Sequence, residues 1–160
     1  MLLKPLVLKA GEIQQLQQGD TLDAPQSGGD VISLTNNEAG AVVIGTAAYI
    51  DAVSGFKKAK ADASGTSDVI GLIAKSPSIT NGTSGSVMVN GVLVATTAQW
   101  DAVTGQSGGL TFNTAYFLSP TTAGLITITE PSTVGQYVVY IGRAISTTEM
   151  MINVERKILL

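Results

Sequence analysis

Residues 69–76 read VIGLIAKS and residues 140–146 read YIGRAIS, so Gly71 and Gly142 stand at the same place in two similar stretches. Upstream of them, AYID at 48–51 is matched by AYFL at 115–118. Each copy has a Gly turn and an alternating segment between these two anchors, and each copy leads to a further apolar segment. The sequence therefore predicts an approximate internal repeat over 40–96 and 107–160.

Around these anchors the chain consists of short apolar segments separated by Gly, Ser, Thr and Asn turns, which is typical of all-β proteins. We predict strands at 31–35, 41–44, 47–51, 56–59, 69–75, 86–94, 110–112, 115–119, 125–129, 137–146 and 150–154. Asn90-Gly91 is either a hairpin turn or a glycine kink within one strand. Because neither copy covers its own apolar face, we expect two similar four-strand units to close one small barrel or sandwich.

One segment departs from the β pattern. The residues at 97–104 predict a short helix that joins the two copies, with Thr96 as its cap and Gly105 after its end. Trp100 and Val103 lie on one face of this helix. We interpret Trp100 as a plug at an open end of the barrel, and a Trp that stacks on a ligand is the alternative.

The N-terminal part is expected to be an anchoring arm and linker over 1–29, before a β domain over 30–160. Residues 6–9 are consistent with a short strand. The Gln-rich segment 12–18 favours one or two helical turns, and 23–29 has the composition of a linker.

The composition excludes several functions. The 160 residues include no His and no Cys, so a Ser-His-Asp triad, a Cys-His pair, a zinc cluster and a disulfide are all excluded. The net charge of −3 argues against nucleic-acid binding. No apolar run approaches the roughly 20 residues of a membrane span. We therefore expect no catalytic residue, no cofactor, no metal and no membrane or nucleic-acid partner.

Two catalytic patterns occur without the context that they need. GQSGG at 105–109 matches the G-x-S-x-G pattern but lies in a Gly-rich loop. SGFK at 54–57 matches S-x-x-K, but a glycine at a β-turn does not allow the helix which that motif requires. Neither pattern indicates an enzyme.

Charged residues make up only 13% of the chain, about half of the usual roughly 25%. Such a surface suits a subunit that buries its exterior against copies of itself or a larger assembly. The apolar ends and the one basic cluster are the candidate contact residues. They are Leu2, Leu3, Leu6, Leu8, Ile13, Leu16, Lys57, Lys58, Lys60, Ile158, Leu159 and Leu160. The lysines also have a simpler interpretation, since Lys commonly protects edge strands from unwanted pairing.

Two longer stretches carry a resemblance to a known group of proteins. Residues 8–20 and 95–105, the latter followed by Gly108-Gly109-Leu110, resemble segments of tailed-bacteriophage virion proteins, and so does the run 69–72. Similar segments occur in capsid decoration (cement) proteins, head fibres and tail fibres. The resemblance implies a β-rich, trimeric protein bound to the virion surface, and it supplies no site residues.

We therefore expect a capsid decoration protein, with itself (as a homotrimer) and the phage major capsid protein as partners. It would be located on the capsid surface, and in the host cytoplasm during assembly. A chain expected to be short and complete favours this role over a tail-fibre or baseplate segment involved in host adsorption. A free-standing ligand-binding β-barrel is a third hypothesis.

Overall fold

The computed structural model describes residues 6–9, 12–15 and 28–160. The described elements, in chain order, are β1 (Leu6–Lys9), β2 (Glu12–Gln15), β3 (Gly28–Asn36), β4 (Val42–Val43), β5 (Ala47–Ala52), β6 (Gly55–Lys58), β7 (Val69–Ile73), β8 (Ser78–Ile79), β9 (Ser84–Val94), α1 (Thr97–Thr104), β10 (Ala115–Leu118), β11 (Ile126–Thr127), β12 (Tyr137–Val138), β13 (Tyr140–Ala144), β14 (Glu149–Asn153) and β15 (Ile158–Leu159).

Five of these strands form a closed barrel. The hydrogen-bonded order β9-β3-β6-β5-β7 returns to β9, and β3 and β6 are its parallel pair. Strands β14, β13, β10 and β11 continue outward from β9 and lie outside the ring. The prediction of an all-β barrel or sandwich is confirmed.

The long strand β9 connects the barrel to the outer strands. β3 pairs along one edge of β9, while β7 and then β14 occupy its other edge in succession. Gly91 lies inside β9 with φ 118. Asn90-Gly91 is therefore a glycine kink in a continuous strand, not a hairpin turn.

Two glycines take the same place in the two copies. A Cβ on Gly71 would lie 2.1 Å from the carbonyl oxygen of Met88, and a Cβ on Gly142 would lie 2.3 Å from that of Met151. Each glycine thus lets its strand pass closely over the backbone of the next strand. The recurrence of glycine in the two sequence stretches has this steric cause.

The turns before β5 and β10 also correspond. Gly45 donates its N–H to Ile73 at 2.8 Å, and Asn113 donates its N–H to Ala144 at 2.9 Å. Both donors have left-handed backbone angles, with φ 84 for Gly45 and φ 58 for Asn113. Asn tolerates this region better than most residues, which allows one copy to use Asn where the other uses Gly.

The structure aligns β5 with β10 in a way that differs by one residue from the alignment of their sequences. The register of β5 against β7 shifts after Ala48, and that of β10 against β13 shifts after Tyr116. The two bulges therefore align Ala48 with Tyr116, whereas the match of 48–51 with 115–118 aligned it with Ala115.

The expected closure of one barrel by two four-strand units is wrong. The ring is closed by β3, which lies outside the predicted repeat and pairs with β6 on one side and β9 on the other. The barrel interior contains Leu34, Val42, Ala48, Phe56, Ile73, Ile79 and Val87. The strands of the second copy, β10, β11, β13 and β14, take no part in the ring.

The second apolar cluster lies between the barrel and the outer strands. Alternate residues of the barrel strands face it, as Leu72 does beside Ile73 and Met88 does beside Val87. Trp100 belongs to this larger cluster, fully buried, and its indole N–H donates to the carbonyl oxygen of Thr148 at 3.0 Å. It therefore does not plug the barrel, and no face of its ring is open to a ligand.

Helix α1 forms where the sequence predicts it. The hydroxyl of Thr96 accepts the N–H of Gln99, the Gln99 side chain accepts the N–H of Thr96, and Gly105 ends the helix with φ 68. Trp100 and Val103 are its buried residues. A capping box and a glycine stop together specify this helix.

Four details of the strand prediction are corrected. Residues 12–15 form β2, paired with β1, where the sequence favoured helical turns, and residues 16–18 of that prediction lie outside the described residues. Residues 110–112 form no strand, since the turn already begins at Phe112. The predicted strand 137–146 is divided into β12 and β13, and β8 and β15 are additional short strands.

Candidate functional site: an apolar contact surface

The C-terminal strand β15 lies at the surface, and its two side chains are largely exposed. It pairs with β12, with Val138 opposite Ile158 and Tyr137 opposite Leu159. Ile158 is 62% exposed and Leu159 is 61% exposed. Because successive residues of a strand point to opposite faces, the described part of the chain leaves side chains exposed on both faces of β15.

A further exposed apolar residue lies in the turn that is hydrogen-bonded to the end of this strand. Val134 is 88% exposed and precedes Gly135, whose N–H donates to the carbonyl oxygen of Leu160 at 2.9 Å. We call Val134, Ile158, Leu159 and Leu160 the C-terminal apolar patch. Sequence analysis identified the three terminal residues but missed Val134, which is a lone apolar residue in a polar turn.

Lys157 holds this strand against the first copy. Its ammonium group lies 2.8 Å from a carboxylate oxygen of Asp68 and donates to the carbonyl oxygen of Ser64 at 2.6 Å. It also lies 5.5 Å from the centre of the Tyr137 ring. These contacts fix the position from which β15 presents its apolar side chains.

Two of the three candidate lysines have carboxylate partners within the chain. Lys57 lies 3.4 Å from Asp51, and Lys60 lies 2.7 Å from Asp62. The hydrogen bond from Lys60 lowers the pKa of the Asp62 carboxyl below its ordinary value. An acidic partner would therefore have to compete with charges that are already present.

Lys58 and Lys60 would lie on one face of a strand if the strand continued through both, but they do not belong to one strand. β6 ends at Lys58, so Lys60 lies beyond it. β3 pairs with β6 only at Gly55 and Phe56, which leaves Lys57 and Lys58 with β5 alone. Lysines at such a locally unpaired edge of β6 agree with the interpretation that they protect the strand from unwanted pairing.

The remaining candidates are N-terminal. Leu2, Leu3 and Leu16 lie outside the described residues. Leu6 and Leu8 belong to β1 and Ile13 to β2, and the register places Leu8 opposite Ile13. Within the described part of the chain, these two strands pair only with each other.

The described surface has depressions that are open to solvent. One, of about 420 Å³, is bounded by residues 67–70, Val89 and 154–157. Another, of about 310 Å³, is lined by Ser, Thr, Pro, Glu and Gln side chains of 119–136. Among the described residues, no three carboxylates are grouped in a way that would hold a metal ion. Within the same ranges, no helix has the length and apolarity to span a bilayer.

The geometry thus defines a β-barrel protein whose most distinctive described surface is an exposed apolar strand. No protein-family model matches the chain, and no curated protein sequence matches it.

Proposed function

We propose that this chain is a structural protein of a tailed-bacteriophage virion, which binds the outside of the capsid as an oligomer and stabilises the mature shell. The observation that carries the proposal is the C-terminal apolar patch, in which Ile158 and Leu159 are more than 60% exposed. Soluble proteins seldom leave several large apolar side chains exposed close together, and such groups of residues mark interaction sites. The resemblance of residues 8–20 and 95–105 to virion proteins supplies the kind of partner.

The patch is large enough to matter energetically. Full burial of one Val, Leu or Ile side chain contributes about 1.5–3 kcal/mol. Four such residues contribute several kcal/mol before the entropic cost of association, which is about 4–15 kcal/mol. One patch alone therefore gives weak binding, and stable attachment needs several contacts on one particle.

An oligomer on a repeating lattice supplies these contacts. Linked weak sites act together with an effective concentration far above the bulk value. A protein that binds only the mature lattice stabilises that lattice by mass action. The role is one of binding, and it needs no catalytic residue, metal or cofactor.

The test is the copy number per particle, measured by quantitative mass spectrometry of purified virions. We expect hundreds of copies, in fixed proportion to the major coat protein. A few to a few dozen copies would instead place the chain in a tail or baseplate fibre that acts in host adsorption. Complete absence from virions would overturn both roles.

A further inference from the structure

Strand β15 leaves one of its two edges unpaired. Within the described part of the chain it pairs only with β12, and the two strands form a separate sheet. The outer edge of β12 is already engaged, because Tyr137 donates its N–H to the carbonyl oxygen of Ala61 at 3.0 Å. A two-stranded sheet is at best marginally stable in water, and the free edge of β15 is the place where this sheet can be extended.

The main-chain groups of Leu159 point to this free edge. The N–H of Leu160 donates to the carbonyl oxygen of Gln136 at 3.0 Å. Hydrogen-bonded pairs alternate with non-bonded pairs along an antiparallel ladder, so the next bonded pair is Ile158 with Val138. Leu159 falls between the two bonded pairs, and its N–H and C=O therefore point away from β12.

Lys157 has the same main-chain orientation, because it lies two residues before Leu159. A lysine at a strand edge commonly prevents pairing with another strand. Here the ammonium group is instead held by Asp68 and Ser64 and lies beside the ring of Tyr137. The free edge of β15 is therefore left without that protection.

The side chains beside the free edge are apolar on both faces of the strand. Ile158 is exposed on one face and Leu159 on the other. An exposed apolar strand edge is a template for pairing with another chain. In such strand addition the main-chain hydrogen bonds supply affinity, and alternate side chains supply specificity.

We infer that β15 of one copy pairs antiparallel with β15 of a second copy, so that two β12–β15 sheets become one four-stranded sheet. The inference rests on the proposed function for the role of the patch, and it names the occupant as the same strand of another copy. Ile158 of the two copies would face each other across a two-fold axis. Lys157 of each copy would then be opposite the partner's Leu159, and these two pairs would be the hydrogen-bonded ones.

The charges around β15 suit pairing of this strand with itself. In the antiparallel register Arg156 lies opposite the partner's Leu160, and Lys157 lies opposite the partner's Leu159. No two like charges are therefore directly opposite, an arrangement that would be destabilising. A parallel register, by contrast, would place each of these two cations beside its own counterpart.

The inferred contact also determines the size of the assembly. Both copies contribute the same surface, so the contact is isologous and closes after two copies. We therefore expect the mass of two chains for the purified protein, and not the three chains that the sequence resemblance implies.

The absence of cysteine from the chain allows a direct test by disulfide formation. In a directly opposed, non-hydrogen-bonded pair the Cα atoms are about 4.5 Å apart, which a disulfide can bridge. We expect full-length Ile158→Cys to form a covalent dimer in a glutathione redox buffer.

Two variants are the controls for this disulfide. Leu159→Cys has nearly the same exposure, 61% against 62% for Ile158, but it would be diagonal to its counterpart at about 7–8 Å, too far for a disulfide. Val53→Cys lies on another part of the surface and is 99% exposed, so it measures linking by chance collision. We expect neither variant to link under the conditions in which Ile158→Cys does.

Hydrogen exchange of the unaltered protein identifies what covers the edge. The amide of Leu159 should be protected at high protein concentration and lose its protection on dilution to the single chain. The amide of Leu118, which donates to Val139 within the chain at 3.0 Å, is the control and should stay protected at both concentrations.

Three results would overturn the inference. One is protection of Leu159 that persists on dilution in a species with the mass of one chain, because the edge would then be covered within the chain. The others are free exchange of this amide at both concentrations, and equal linking of Ile158→Cys and its two controls. Both tests use purified protein without virions, so their failure leaves the copy-number result and the proposed virion role unaffected.

Discussion

At the scale of single residues, two glycines explain why similar sequences recur. Gly71 and Gly142 lie where their strands pass over the backbone at Met88 and Met151. The signal in the sequence is the residue type, and its cause is a steric one that appears only when the strands are paired. Glycine is required there for close approach and not for an unusual backbone angle.

The first prediction tests this requirement. Gly71→Ala and Gly142→Ala should each lower the free energy of unfolding by about 1–3 kcal/mol, the usual cost of overpacking. Urea unfolding followed by circular dichroism measures the change. Gly65→Ala is the matched control, because a Cβ there meets no atom within 4 Å. Equal losses in all three variants would show that close approach is not the reason for the two glycines.

The second prediction concerns the ion pair between Lys60 and Asp62. The Lys60 hydrogen bond lowers the folded-state pKa of Asp62, so the pair stabilises the fold above the ordinary Asp pKa of about 3.9 and less as pH falls through the lowered value. Lys60→Met should raise the pKa of Asp62 toward its ordinary value in an NMR titration. The stability change is small, because the pair is exposed.

Lys57→Met is the control for this titration, since Lys57 pairs with Asp51. It should leave the pKa of Asp62 unchanged. If both lysine variants shift that pKa equally, the general charge of the surface determines it and the individual pair does not.

At the scale of elements, local signals specified the helix more fully than the strands. The bounds of α1 follow from the Thr96 cap and the Gly105 stop, both of which are visible in the sequence. The strands β8 and β15, which the sequence did not predict, have two residues each. Each of them depends on a partner strand that is distant in the chain, and no local sequence pattern predicts it.

The third prediction tests the helix cap. Thr96→Ala should destabilise the protein by about 1 kcal/mol through loss of the capping box, measured by chemical unfolding. Thr96→Ser keeps an acceptor hydroxyl and should cost only a few tenths of that value. A similar loss in both variants would indicate that packing of the Thr methyl group, and not the cap, is what matters.

At the scale of the whole molecule, substitutions at exposed apolar residues test assembly without disturbing the fold of one chain. Leu159 is 61% exposed and Val53 is 99% exposed. An Asp at either place therefore removes little buried contact within one chain. The two positions differ in that Leu159 belongs to the C-terminal apolar patch.

The fourth prediction uses this difference. Leu159→Asp should retain its circular dichroism spectrum and unfolding midpoint but lose self-association, giving a mass of about 16.4 kDa by light scattering. Val53→Asp should keep the oligomer. Retention of the oligomer by both variants, or its loss in both, would argue against the patch as the contact surface.

The sequence by itself determined the β class, helix α1 and the glycine anchors of the two copies. These features depend on residue alternation, capping and turn chemistry, which act over a few positions. It also determined which catalytic groups are absent, because a chain without His or Cys cannot use either.

Only the tertiary structure decided how the barrel closes and which apolar residues remain uncovered. β3 completes the ring because its two edges fit β6 and β9, a pairing between residues about 20 to 60 positions apart. Leu93 and Leu159 are both apolar in sequence, yet one is buried and the other is exposed. Which of them lies inside depends on the strands that cover it, and that is settled by long-range packing rather than by local pattern.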